Sequence, residues 1–313
     1  MAARGTGPEA GEPLVWLPFD PADLGSPPAG LRYEQVDPTR HVPDSFADVA
    51  FYVTPYLLGP EVADVLPRMP SLRVVQTLTA GVDNLRGRTP DGVVLCSGRG
   101  IHDASTAELA VTLVLASLRG VPGFVRDQDR GVWRPGWHPA LADRRVLLVG
   151  HGAVGEAIER RLAPFEVEVV RVARTAREGV HALDELSALL PEVDVVVLAV
   201  PLTDATRGLV DAGFLAGMRD GALLVNVARG AVVDTDALLA ELRSGRISAA
   251  LDVVDPEPLP AGHPLWEAPN LLVSPHVGGS SSAMWPRAHR LVREQLERFA
   301  AGDPLRNVVP DHL

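Results

Sequence analysis

The feature that most constrains this chain is a glycine turn set between an apolar run and an amphipathic one. Arg145-Val146-Leu147-Leu148-Val149 leads into Gly150-His151-Gly152-Ala153-Val154-Gly155, and the run continues as GEAIERRLA. A strand, a G-x-G-x-x-G turn and a helix in that order form the βα unit that cradles a dinucleotide. Gly150 permits the tight turn, Gly152 lets the backbone approach a pyrophosphate, and Gly155 lets the helix close on the strand. The N–H groups at the helix start, around Ala153 and Val154, lie at its positive dipole end and suit phosphate oxygens. His151 is read as a bystander.

The rest of the chain keeps the same rhythm. Strands are expected at Leu14–Leu17, Arg32–Val36, Val49–Val53, Arg73–Leu78 and Val93–Cys96, each rich in Val, Leu or aromatics and bounded by Pro or Gly. After the glycine turn they are expected at Val167–Val172, Val193–Val200, Leu223–Asn226, Ala249–Val253 and Leu271–Ser274. Strands alternating with helical stretches imply parallel sheets with helices on their faces. The fold class is therefore α/β, with two Rossmann or flavodoxin-like domains. The 313 residues exceed one ordinary core. A dinucleotide domain over 98–279 is expected to be inserted into a substrate domain formed by 1–97 and 280–313. Asp103–Leu118 reads as a helix apolar nearly all round, hence buried in its own domain or against a second subunit. A last helix at Met284–Ala300 is expected to return to the first domain.

Composition excludes some classes. The net charge of −11 disfavours nucleic acid, whose phosphates need a basic surface. A single cysteine, Cys96, makes no internal disulfide and suits a reducing cytoplasm; it reads as a small apolar strand residue. Apolar runs are short of the roughly 20 residues of a membrane helix, and the N-terminus has no secretory h-region. Residues 1–12 are Gly, Ala, Pro and Glu rich and are expected to lack fixed structure. The chain contains no lysine, which we read as compositional bias. No metal is expected.

The end of the second strand selects the dinucleotide. An NAD site places an acid there for the ribose 2′-OH. Here Ala173 stands at that place, followed by Arg174, Thr175 and, nearby, Arg177. Cationic and hydroxyl donors suit a 2′-phosphate, which an acid would repel. NADP is therefore expected in preference to NAD, which stays possible.

Downstream lie a cation, a carboxylate and an imidazole: Arg229 in NVARG, Glu257 in DPEPLP and His276 in SPHVGG. Arg can hold a carboxylate in two parallel hydrogen bonds, His can give a proton, and Glu can favour the imidazolium. With GIHDASTAE, GHGAVG, LAVPLT, NVARG, LDVVDPEPLP and NLLVSPHVGG in this order, the chain resembles the D-isomer-specific 2-hydroxyacid dehydrogenases over nearly its whole length. The resemblance implies two α/β domains with the active site in the cleft between them. It implies His276 as acid/base, Glu257 as its partner and Arg229 as the substrate anchor. Asp255 competes with Glu257 for the partner role, and its position before Pro favours Glu257. The loop Leu78-Thr79-Ala80-Gly81-Val82-Asp83 resembles the substrate-carboxylate loop, so Leu78, Ala80, Gly81 and Val82 join Arg229 and His276 as substrate residues. Thr106, Val200, Pro201, Val227, Ala228, Asp252, Gly278 and Gly279 join the cofactor set, with Asp252 expected on the nicotinamide amide. Trp133, Trp137 and Trp285 are expected to pack rather than to touch substrate, although Trp285 lies nearest to the His loop.

The resemblance further implies a homodimer built largely through the nucleotide domain, and a small 2-oxo or 2-hydroxy acid as the other partner. The best reading is an NADPH-preferring reductase of the glyoxylate or hydroxypyruvate type. Phosphite or phosphoglycerate dehydrogenase-type relatives, and a dinucleotide-sensing, corepressor-like binding module of the same fold, stay open as alternatives.

Overall fold

The computed structural model describes residues 11–56, 60–85 and 87–310, without the side chains of Pro60 and Glu61. Most of the expectation for residues 1–12 lies outside this range. The chain divides into two compact units, Met1–Ile101 with Trp285–Leu313, and His102–Met284.

The first unit holds β1 (Leu14–Leu17), β2 (Arg32–Gln35), β3 (Val49–Val53), β4 (Val74–Gln76) and β5 (Val94–Cys96), all parallel, in the spatial order β2-β1-β3-β4-β5. This is the flavodoxin-like order, and its order reversal falls between β1 and β3. Trp16, Tyr52, Leu66, Val75 and Leu85 centre its core. The last helix, which runs from Met284 to Ala301, returns to this unit. There Phe299 meets Phe51 edge to face, with centroids 5.1 Å apart, and the Gln295 amide donates to Gln76 at 2.8 Å. Buried Cys96 behaves as a small apolar residue, and burial pushes its thiol up to about 11.

The second unit opens with α1 (Asp103–Leu118) and α2 (Val121–Asp129), then β6 (Arg145–Val149), α3 (Ala153–Leu162), β7 (Glu168–Ala173) and β8 (His181–Ala182). It continues with α4 (Leu186–Leu189), β9 (Val195–Leu198), α5 (Ala212–Gly217), β10 (Leu223–Asn226), α6 (Thr235–Ser244), β11 (Ser248–Leu251) and β12 (Leu271–Val273). The order β12-β11-β10-β9-β6-β7-β8 is parallel throughout, with its reversal between β6 and β9. The run Val195–Leu198 shows why it reads as continuous apolar sequence. Val196 and Leu198 point into one core with Leu147, Leu224 and Leu251. Val195 and Val197 point into the other with Val146, Val225 and Ala250. A strand covered on both faces leaves no position for a polar residue.

The helix α1 is buried along one face within the chain. It buries Ala107, Ala110, Val111, Leu113 and Val114 against the α3 side of the sheet, but Glu108 and Thr112 are exposed and Leu109, Leu115 and Leu118 are only half-buried. Trp133 and Trp137 correct the expectation that they pack: they are 95% and 103% exposed, and Val121, Phe124, Val125 and Val132 are exposed in the same stretch of sequence. Among the described residues no single helix is long and apolar enough to cross a membrane.

Candidate active site

Six strand ends of the second unit carry the candidate residues, and they lie on one edge of one sheet. The glycine turn leaves β6, Arg174 leaves β7, Val200 leaves β9, Arg229 leaves β10, Asp252 leaves β11 and His276 follows β12. Ligands of open α/β sheets bind outside this carboxyl edge, at the order reversal.

The glycine turn occupies that reversal. Gly150 has φ +104°, and a Cβ on it would lie 2.5 Å from the carbonyl of Ala199 after β9. A Cβ on Gly155 would lie 2.1 Å from the Gly150 oxygen, so any side chain there would prise α3 off the turn. Gly152 differs. It is the N-cap of α3, no side chain caps the helix, and a Cβ on Gly152 would meet nothing within 4 Å. An uncapped helix start facing open space fits a pyrophosphate. Ala153 and Val154 begin the helix, half-buried.

Around this turn, Val200 is buried, and the carbonyl of exposed Pro201 accepts from the Thr206 hydroxyl at 2.6 Å. Arg174, Thr175 and Arg177 are exposed where β7 ends. The ring of His151 touches Glu159 at 2.6 Å and Arg177 at 3.0 Å.

After β10, Val227 and Ala228 are buried and Arg229 half-buried. Asn226 holds this turn through both ends of its amide. Its Oδ1 accepts from the Ala228 N–H at 3.0 Å, and its Nδ2 donates to the Arg229 carbonyl at 3.0 Å. Gly230 packs on the backbone that follows β11. Neither residue drew a role from sequence alone. The asparagine beside an Arg turn was the available signal for the first, and nothing local marks the second.

Buried Asp252 organises the loop after β12. Its Oδ1 accepts from the Ser274 hydroxyl at 2.7 Å and the Val277 N–H at 2.9 Å, and its Oδ2 from the Gly278 N–H at 2.9 Å. The His276 N–H donates to the Asp252 carbonyl at 2.8 Å. These bonds hold His276 at φ +51°, a left-handed conformation that a non-glycine residue adopts only when its surroundings demand it. Here it presents the imidazole to Glu257, whose Oε1 lies 2.7 Å from Nδ1, with both side chains partly exposed. Glu257 thus stands beside His276, while the Asp255 carbonyl accepts from Thr235. With Nδ1 engaged, Nε2 is the nitrogen left to face a substrate. Buried Thr106 and Gly278 are neighbours, since a Cβ on Gly278 would lie 3.5 Å from the Thr106 hydroxyl; Gly279 follows, half-buried.

In the first unit, Leu78 is buried, Ala80 exposed, Gly81 half-buried and Val82 buried. The loop is shaped by Thr77 and Thr79, whose hydroxyls donate to the carbonyls of Thr79 and Gly81 at 2.7 and 2.8 Å. Trp285 meets Phe19 edge to face and His289 at a tilt, at centroid distances of 6.1 and 5.5 Å.

Comparison with known proteins agrees with this geometry. Residues 111–278 match the family described as D-isomer specific 2-hydroxyacid dehydrogenase, NAD binding domain. A glyoxylate reductase of Korarchaeum cryptofilum is 33% identical over 268 residues, which cover 81% of this chain and 80% of that one. A D-isomer specific 2-hydroxyacid dehydrogenase from Xanthobacter autotrophicus Py2, solved with NADPH and MES, superposes with a TM-score of 0.81 at 33% identity, covering 96% of this chain and 98% of that chain. An NADPH-dependent glyoxylate/hydroxypyruvate reductase of Sinorhizobium meliloti, solved with NADP and sulfate, gives a TM-score of 0.81 at 29% identity, covering 95% and 98%. A glycine turn at the sheet reversal, an Arg and a Glu–His pair on the same edge, and these likenesses place the chain in one group: it belongs to the D-isomer specific 2-hydroxyacid dehydrogenases, nicotinamide-dinucleotide oxidoreductases that act on the CH–OH group of 2-hydroxy acids.

Proposed function

We propose that this chain is an NADPH-preferring 2-oxo-acid reductase of the glyoxylate or hydroxypyruvate type. The observation that carries the chemistry is the 2.7 Å contact of Glu257 with His276 on the strand edge that also bears Arg229 and the glycine turn. The dinucleotide supplies the hydride for C2 of the substrate. Arg229 holds the substrate carboxylate and polarises the carbonyl. His276 delivers a proton from Nε2 to the carbonyl oxygen, and takes it back in oxidation. Glu257 accepts from Nδ1 and so fixes the tautomer and the orientation of the ring. In the first unit, the backbone of Gly81 and Val82, with Leu78 and Ala80 shaping the loop, is assigned to the substrate carboxylate.

The cofactor is assigned to Gly150, Gly152, Ala153, Val154 and Gly155 for the pyrophosphate. Val200 and Pro201 take the adenosine side, Thr106 the nicotinamide or the pyrophosphate, and Val227, Ala228, Gly278 and Gly279 complete the cofactor set. Asp252 spends most of its acceptors on the His276 loop, and Oδ2 keeps one lone pair for a carboxamide N–H. Preference for NADP rests on Arg174, Thr175 and Arg177 at the end of β7, with Ala173 where NAD sites carry an acid. The Xanthobacter and Sinorhizobium proteins, solved with NADPH and NADP, support it. Relatives named glyoxylate reductase support the substrate class.

The test is loss of nicotinamide absorbance with NADPH or NADH against glyoxylate, hydroxypyruvate, pyruvate and phenylpyruvate. Fast loss with NADPH and one of the smaller acids is expected. Turnover with none of the four removes the substrate class. Arg174→Asp is expected to shift the ratio of kcat/KM for NADPH over NADH toward NADH by about tenfold or more, one charge-assisted contact being worth ~1.5–3 kcal/mol. An unchanged ratio removes the NADP reading.

The chain is further proposed to form a homodimer through the second unit. Trp133 and Trp137, with Phe124 and Val125, offer an apolar surface that one copy leaves in water, and aromatic residues are enriched at such contacts. Light scattering on a size-exclusion column is expected to give twice the chain mass, and Trp133→Glu with Trp137→Glu to give the single mass. A wild-type monomer at micromolar concentration refutes the dimer.

A further inference from the structure

The glycine turn carries one side chain that the reading above leaves without a task. His151 stands between Gly150 and Gly152, and its side chain is only 12% exposed. Its Nε2 lies 2.6 Å from Oε2 of Glu159 on α3, and its Nδ1 lies 3.0 Å from a guanidinium nitrogen of Arg177. The same nitrogen of Arg177 donates to the His151 carbonyl at 2.9 Å. Glu159 gives its other oxygen to Arg171 of β7, whose Nε donates at 2.7 Å. The Arg171 guanidinium, with a smaller contribution from His151, holds the Glu159 carboxyl below its usual range.

The chemistry of the donors sets the direction of this network. A guanidinium has five N–H groups and no acceptor. Nδ1 of His151 therefore accepts from Arg177 and carries no proton. The proton is on Nε2, where the ionised Glu159 accepts it. Glu159, clamped by Arg171, selects the tautomer, and the tautomer turns an acceptor toward Arg177. A long, exposed arginine is thereby tied to the turn through a ring nitrogen and a backbone carbonyl. Ordering such a side chain at the moment of binding costs affinity unless it is held beforehand.

We infer that His151 is a positioning residue for coenzyme specificity, which holds Arg177 beside the glycine turn as a preset cation for the 2′-phosphate of the dinucleotide. The inference rests on the NADP reading of the β7 end. It separates two arginines: Arg174 meets the phosphate unaided, while Arg177 acts only through His151. NADH lacks the group that Arg177 serves, so its binding is indifferent to His151.

The test compares Kd values for NADPH and NADH from nicotinamide fluorescence, and for 2′,5′-ADP from calorimetry, in the wild type, His151→Ala, His151→Gln and Arg174→Ala. His151→Ala is expected to weaken NADPH and 2′,5′-ADP by about fivefold to tenfold and NADH by less than twofold, a loss in the range of ordering one long side chain on binding. His151→Gln is expected to recover most of the loss, because its amide can donate to Glu159 and accept from Arg177. If His151→Ala does not fold, His151→Met takes its place, filling the space with only a weak thioether acceptor. Equal weakening of NADPH and NADH in these variants, or no weakening, overturns the role of His151 while the wild-type preference for NADPH stands. A wild type that binds both coenzymes alike, with Arg174→Ala also without effect, overturns the NADP reading itself and the inference with it.

Discussion

His276→Gln is expected to lower kcat in both directions by about 10²–10⁴-fold, the usual contribution of a positioned acid/base. That loss corresponds to about 3–5 kcal/mol of transition-state stabilisation. Glutamine keeps a polar side chain near Glu257 but has no proton to exchange near neutral pH. The loop itself should survive, because it is held by Asp252 and by backbone groups rather than by the imidazole. Binding of the dinucleotide, read by nicotinamide fluorescence, is therefore expected to change less than threefold. Stopped-flow absorbance under single-turnover conditions checks the first statement. A chemical step within a factor of ten of the wild type would show that the proton comes from elsewhere. Arg229→Lys supplies the contrast: a point charge in place of a planar fork is expected to raise KM for the 2-oxo acid as well as to lower kcat.

Gly230→Ala is expected to cost about 3 kcal/mol or more of stability, in the upper range for a core substitution. A Cβ on Gly230 would lie 1.8 Å from the carbonyl oxygen of Val254 and 2.1 Å from its carbon. Both are backbone atoms, so no rotamer change relieves the clash. The segments leaving β10 and β11 must separate, and they carry Arg229 and, shortly beyond, Glu257. Activity is thus expected to fall with stability. A Tm lower by about 6–12 °C is the expected reading in calorimetry, at roughly 2–4 °C per kcal/mol for a domain of this size. Gly152→Ala is the control with the opposite profile. Its Cβ meets nothing within 4 Å, so Tm should hold while the dinucleotide, which would share that space, binds more weakly. A Gly230→Ala protein with wild-type Tm would mean that the two strand exits are not in close contact.

Much of this was open to a reader of the sequence, for local reasons. Periodicity placed β1, β3, α1 and β10 at their observed bounds, because apolar alternation and bounding Gly or Pro act within a few residues. Strands such as Val195–Leu198 came out shorter than the expected Val193–Val200, because a parallel neighbour must be present for a residue to join the ladder. The tryptophans at 133 and 137 misled, since large apolar side chains usually lie inside and here they face water.

The order of motifs along the chain was enough to name the fold class and to single out the glycine turn and the trio Arg229, Glu257 and His276 as candidates. Each of these reads from a short segment whose chemistry is carried by its own residues. Folding alone revealed that Asp252 ties down a loop 22 to 26 residues further on, that Gly230 must be bare because Val254 lies against it, and that His151 grips Arg177 from 26 residues away. Those are contacts between strand ends. They exist because a parallel sheet gathers the exits of distant strands along one edge, and no local pattern in a chain records which exits become neighbours.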